Sequence, residues 1–254
     1  MLLTIVGTGM SNWLHDSLLG LVNLLTSGFT AITGVGGGMM LIAIMPMLMP
    51  AVAVVPVHAV TQLVGNASRA WFGRKDIVWQ PIRPFLIGSI VGMLIFGTLI
   101  RFITLDLIPL FIAIYILLLQ WSKPFNRMIK RFESYFIVGL LQTGLGVFVG
   151  TPGPLNIAVL NNHYDDSNLV VTTGALMMTI VHTAKIVVYL SMGVAFLPYW
   201  RLIVFMMVMA IIGSWLGTKL RYKISPIVLK KMLPYLLTIL AAKLIIDTGL
   251  TYLR

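Results

Sequence analysis

The sequence predicts an all-α polytopic membrane protein built from two inverted-topology repeats with broken or re-entrant glycine-rich segments. Three observations carry that expectation. Hydrophobic residues make up 59% and charged residues 10% of the 254 residues. Soluble domains carry roughly 25% charged residues, so neither a water-exposed surface nor a disordered chain fits this composition. Eight apolar segments approach the roughly 20 residues that a spanning helix needs. Two glycine-rich breaks recur at matched positions, Gly34 and Gly150, separated by 150 − 34 = 116.

The elements follow in order. Residues 1–13 form an N-terminal segment without Lys or Arg, unlike the positive start of a secretory leader, and are read as mature sequence outside the cell. Repeat one, residues 14–122, holds apolar segments at 14–34, 51–72, 81–100 and 106–121. A basic linker, 123–132, carries Lys123, Arg127, Lys130 and Arg131 and is expected in the cytoplasm. Repeat two, residues 133–254, holds segments at 133–150, 168–190, 199–218 and 232–250. Two shorter apolar pieces, 37–49 and 153–161, follow the glycine-rich breaks. Both are too short to cross a bilayer comfortably.

The repeat is read by arithmetic. The offset of 116 that relates the breaks also pairs Ala59 with Ala175, Asn66 with His182 and Arg69 with Lys185. Further on, Gly97-Thr-Leu-Ile-Arg101 matches Gly217-Thr-Lys-Leu-Arg221 at an offset of 120. Inversion is read from charge, because cytoplasmic loops collect Lys and Arg. In repeat one the loop at 73–83 holds Arg74, Lys75 and Arg83, while its equivalent near 191–199 holds none. The next loop reverses the bias. Repeat one has only Arg101 there, whereas repeat two has Lys219, Arg221, Lys223, Lys230 and Lys231. Inversion requires an odd number of crossings per repeat. Counting the two short pieces gives five, with the linker inside and both ends of the chain outside. The competing reading is eight plain helices with a poor charge bias.

Neither break, Gly34-Val-Gly-Gly-Gly38 nor Gly150-Thr-Pro-Gly-Pro154, continues a regular helix. Irregular backbone at membrane depth occurs only where protein or a watery cavity satisfies it. A helical piece starting after each break would present free N–H groups and a positive dipole end, which suit an anion near the midplane. The alternative is that these glycines serve close helix packing, as Gly88-x-x-x-Gly92 and Gly213-x-x-x-Gly217 are expected to do.

Most ionisable residues fall in loops or at segment ends. Lys185 does not: it lies well inside 168–190, where lysine costs roughly 2.5–3.5 kcal/mol on insertion scales. An intramembrane charge is a functional candidate. Arg69 lies nearer a cytoplasmic end, and two readings stand for it, a site cation or one that snorkels to the interface. His182 shares a helix face with Lys185, and Gln62 and Asn66 share one with Arg69. His182 is a candidate proton carrier; a neutral hydrogen-bonding histidine is the other reading. The acids, Asp16, Asp76, Asp106, Glu133, Asp165, Asp166 and Asp247, all sit near span ends or in loops, and Asp247 is spaced to pair with Lys243. Cations inside the spans and anions outside them point to an anionic substrate. The candidate binding set is Gly36, Gly37, Gly38, Gln62, Asn66, Arg69, Thr151, Gly153, Asn156, His182 and Lys185.

Several classes are disfavoured. The cations are scattered between apolar runs, which argues against nucleic acid as a partner despite a net charge of +11. Cysteine is absent, so disulfides, thiolate metal sites and thiol chemistry are excluded. Methionines cluster at 39–49, 176–178 and 206–209; without a paired histidine they read as packing rather than as a soft-metal path. His58 and His163 lack metal-ligand spacing. There is no P-loop, no His-Glu-x-x-His helix and no Gly-x-Ser-x-Gly elbow, so neither ATP-driven pumping nor an intramembrane enzyme is expected.

The segments GFTAITGVGGGMM and GVFVGTPGPLN, the stretch HAVTQLVGNASRAWF followed by RKDIVW, and the repeated GTxxR resemble the TauE/SafE family of sulfite and organosulfur anion transporters. The resemblance covers nearly the whole chain. It departs from the family's glycine-rich pattern at Pro152 and Pro154. It implies a plasma-membrane carrier with two homologous halves and no prosthetic group, moving sulfite, sulfoacetate or a related anion. The residues by themselves point to an anion, not to sulfur. The expectation is therefore a secondary transporter whose partners are a small anion and membrane lipids, driven by a coupling proton or by the membrane potential, with a passive anion channel as its nearest alternative and an intramembrane enzyme as a more distant one. The oligomeric state is open, a homodimer included.

Overall fold

The computed structural model describes residues 13–103, 105–130, 133–151, 155–221, 223 and 227–252. Among them the fold is all-helical. The helices are α1 (Trp13–Thr33), α2 (Gly37–Ile44), α3 (Ala51–Phe72), α4 (Ile82–Leu99), α5 (Ile108–Trp121), α6 (Lys123–Lys130), α7 (Tyr135–Val149), α8 (Leu155–Asn161), α9 (Ser167–Ser191), α10 (Trp200–Arg221) and α11 (Ile227–Tyr252). The short pieces after the breaks are α2 and α8, and the basic linker is the helix α6.

Five stretches are long and apolar enough to cross a membrane: Ala51–Phe72, Ile82–Phe102, Ser167–Ser191, Leu197–Arg221 and Ile227–Leu250. That is fewer than the eight long apolar segments expected. Helices α5 and α7 have only 14 and 15 residues, about 21–23 Å of rise. Helix α1 has the length, at 21 residues. It is diluted by polar side chains that turn inward, among them Asn23, Thr26 and Ser27, all buried.

Helices α3 and α9 form the centre and pack on each other. Around them α1 packs along α10, α4 along α7, and α5 along α11. Glycines set the closest of these contacts. A Cβ at Gly213 would run into the Leu24 carbonyl of α1, and one at Gly92 into the Leu140 carbonyl of α7. Both glycine pairs read from sequence are thus points where two backbones meet. Interhelical hydrogen bonds add to these contacts: Asn23 Nδ2 donates to the Met206 carbonyl at 2.7 Å across the α1–α10 seam, and Ser214 Oγ donates to the Gly65 carbonyl at 3.0 Å between α10 and α3. The outer faces are apolar. Leu236, Ile239 and Ile246 on α11 and Leu94 on α4 stand exposed, a surface suited to lipid rather than water.

The expected pair of Lys243 and Asp247 is present, with Nζ 2.7 Å from Oδ2. It lies on the exposed side of α11, where such a pair contributes little to stability.

Candidate functional site

Both breaks begin with a glycine that ends a helix. Gly34 follows α1 with φ +83°, and Gly150 caps α7 with φ +75°. Side chains rarely take that left-handed backbone. The amide of Gly34 donates to the Thr30 carbonyl at 2.8 Å, and that of Gly150 to the Gly146 carbonyl at 3.0 Å. The chain then turns, and α2 starts behind Gly36.

A cavity lies between the first break and the centre of the fold, with about 50 Å³ of solvent-accessible space. Its wall comes from the C-terminal end of α1, the C-terminal half of α3, the starts of α2 and α8, and α9 from Gly174 to His182. Of the expected binding set, Gly36, Gly38, Gln62, Asn66, Arg69, Thr151, Asn156 and His182 line it. Gly37 does not. It is taken up by packing, since a Cβ there would meet the Thr26 carbonyl and the Thr30 hydroxyl of α1. Gly153, with Pro152 and Pro154, lies outside the described residues. Lys185 stands behind the wall, fully buried, its Nζ 2.5 Å from the Gly150 carbonyl and 3.1 Å from His182 Nδ1.

Arg69 is the cation that faces the cavity. It is 3% exposed, so it does not snorkel to an interface. Its Nη1 donates to Asn66 Oδ1 at 2.9 Å, and the Asn66 amide nitrogen in turn donates to the Gln62 carbonyl at 2.8 Å. Among the described residues, Arg69 Nε and Nη2 have no acceptor. Nor is a carboxylate near to neutralise it. All seven acids fall among the described residues and none is buried.

The opposite wall is a polar net that holds the start of α8. Gln142 on α7 accepts the Asn156 amide at 3.0 Å and donates to Asn156 Oδ1 at 2.9 Å, while Asn156 Nδ2 donates to the Gly174 carbonyl at 3.0 Å. His182 presents its ring between the two walls. With Lys185 as an ammonium donor, its Nδ1 accepts, which leaves the ring proton on Nε2. The ring of His58 stands edge-on to it at 5.6 Å and bonds the Gly38 carbonyl at 3.1 Å.

Sequence reasoning passed over His58 and Gln142. The signal for His58 was present: 58, 62, 66 and 69 fall on one helical stripe of α3. Gln142 offered no comparable signal, since its partner is fourteen residues away across a break.

The fold is that of a multi-pass membrane protein with a small cavity at its centre, lined by the buried Arg69. The chain matches the family model for sulfite exporter TauE/SafE over residues 19–244. It belongs to that family, and so to the membrane transporters of the sulfite-exporter type. Comparison with curated proteins and with solved structures returns no match.

Proposed function

We propose that this chain is a secondary transporter in the plasma membrane. It moves a small sulfur-containing anion, such as sulfite or sulfoacetate, by alternating access between two inverted-topology repeats. One observation carries the reading: a buried arginine lines a cavity and, among the described residues, two of its guanidinium nitrogens have no acceptor and no carboxylate is buried. An unpaired charge in such a setting is costly by several kcal/mol, and an oxyanion taken in from water supplies what is missing. Arginine's planar fork suits the two oxygens of a sulfite or sulfonate. The Gln62 and Asn66 amides, the Thr151 hydroxyl and the start of α2 add neutral donors around it.

The packing supports the repeat reading. If α1–α5 correspond to α7–α11, then α1 on α10 is the counterpart of α7 on α4, and both contacts occur. The carbonyls that Gly213 and Gly92 abut, Leu24 and Leu140, stand 140 − 24 = 116 apart, the same offset that relates the breaks. With the charge bias of the loops, the cavity then opens toward the cytoplasm.

The test is transport in proteoliposomes. Uptake of labelled sulfite should saturate and show counterflow, and Arg69→Met should abolish both while the protein still purifies as a folded species. Flux that rises linearly with concentration and shows no counterflow would replace the carrier with a channel.

A further inference from the structure

Lys185 and Arg69 are not in the same state. Lys185 and Arg69 stand 185 − 69 = 116 apart, and so do the glycines that end α7 and α1, 150 − 34 = 116. The amides of those glycines bond the carbonyls of Gly146 and Thr30, again 146 − 30 = 116 apart. The local backbone is therefore matched at both breaks. The cation is not. Lys185 Nζ donates to the Gly150 carbonyl, is fully buried and stands behind the cavity wall. Arg69 and Gly34 both line the open cavity, and the guanidinium donates only to Asn66 while Nε and Nη2 have no acceptor.

From this difference we infer that the bond between Lys185 and the Gly150 carbonyl is the closed latch of the outer half of the transport path, and that Arg69 and Gly34 form the open latch of the cytoplasmic half. The inference rests on the carrier reading above. During transport the two exchange: Arg69 closes onto the Gly34 carbonyl as Lys185 leaves Gly150 and faces an outer cavity. The anion is handed from one cation to the other, with His182, which touches Lys185 and lines the present cavity, between them. Lys185 is thus a gating residue in this state and an anion ligand in the other. A second bond backs the closed latch. Tyr189, one turn beyond Lys185, donates its hydroxyl to the Val147 carbonyl at 2.9 Å. Its counterpart in repeat one, at 189 − 116 = 73, is Gly73, which has no side chain to do the same. The outer half is therefore held shut by more than the cytoplasmic half can be.

The chain contains no cysteine, so single cysteines report on accessibility without further changes. Ala175 lines the cavity and is 3% exposed, and its counterpart Ala59 is fully buried, at 175 − 59 = 116. In the otherwise unchanged protein, Ala175→Cys should react with a membrane-impermeant thiol reagent applied to the cytoplasmic face, and Ala59→Cys should resist the reagent applied outside. Adding Lys185→Met should raise outside labelling of Ala59→Cys and lower inside labelling of Ala175→Cys. Adding Tyr189→Phe, which keeps the ring and removes one hydrogen bond, should move both the same way by about fivefold; this milder variant keeps the test open if Lys185→Met fails to fold. If neither rate moves, or if both rise together, the latch is refuted. If both cysteines react from their own sides in the same molecules with Lys185 intact, the path is open at both ends, and the carrier reading falls together with the latch.

Discussion

The Arg69 guanidinium offers five N–H donors in a fixed plane, and among its contacts only Nη1 meets an acceptor, Asn66 Oδ1. Two substitutions separate charge from shape here. Arg69→Met should remove anion-dependent thermal stabilisation altogether. Arg69→Lys keeps a positive charge but loses the planar fork, and should weaken sulfite binding by roughly tenfold to a hundredfold, the range for losing one charge-assisted hydrogen bond. Titrating the melting temperature against sulfite, sulfate and short carboxylates measures both, because a ligand present at 100 times its Kd stabilises the native state by about 2.7 kcal/mol. Gln142→Ala tests the other wall. It strips the Asn156 amide of its acceptor at the start of α8, and should destabilise the protein by about 1–3 kcal/mol, read as a lowered melting temperature in detergent with or without anion. The sequence made the Asn66–Arg69 and His182–Lys185 stripes legible because three-residue spacing on a helix is a fixed geometry. It did not show that Arg69 lines a cavity while Lys185 sits behind its wall, since that depends on how the chain packs around each side chain.

At the scale of elements, the breaks were legible and the crossings were less so. Glycine and proline mark where α1 and α7 must stop, and apolar composition marks α2 and α8 as helical restarts. Helices α5 and α7 start two residues later than the segments read at 106–121 and 133–150, because Asp106 and Leu107 belong to a 3₁₀ turn and Glu133 and Ser134 precede the helix. The polar side of α1 was not legible: Asn23 and Ser27 lie in an apolar segment, and only the packing shows them facing α3 and α10. The glycine seams carry a prediction of their own. Gly213→Leu and Gly92→Leu should each separate a helix pair whose backbones touch, and lose folded protein. Gly249→Leu, with nothing within 4 Å of a side chain placed there, should leave yield and melting temperature unchanged. Gly37→Ala should behave as the seam variants do, by clashing with the Thr26 carbonyl, at about 1–3 kcal/mol of overpacking. Loss of sulfite affinity by Gly37→Ala with unaltered stability would instead make Gly37 part of the binding surface.

For the whole molecule, the offset of 116 that relates the two breaks in the sequence recurs in the packing, where Leu24 and Leu140 offer the carbonyls that Gly213 and Gly92 abut. An offset treats the stretches it relates as equals, so it could not show that the two are packed differently around Arg69 and Lys185. Orientation is checked by Lys223→Cys, which should resist an impermeant thiol reagent added to intact cells; labelling from outside would turn the molecule over. The absence of a buried carboxylate among the described residues has an electrical consequence. A carrier returns to its starting state after each cycle, so the charge it moves is the charge of what it carries. A buried carboxylate would let a cation ride with the proposed anion and cancel its charge; carried alone, a univalent anion takes one negative charge through the bilayer at each net crossing. A potential of 100 mV, negative inside, is worth about 2.3 kcal/mol per charge and drives such an anion outward. Imposed by valinomycin and a potassium gradient, that potential should speed efflux and slow uptake; rates that ignore it would mean that the anion's charge is cancelled by a second ion.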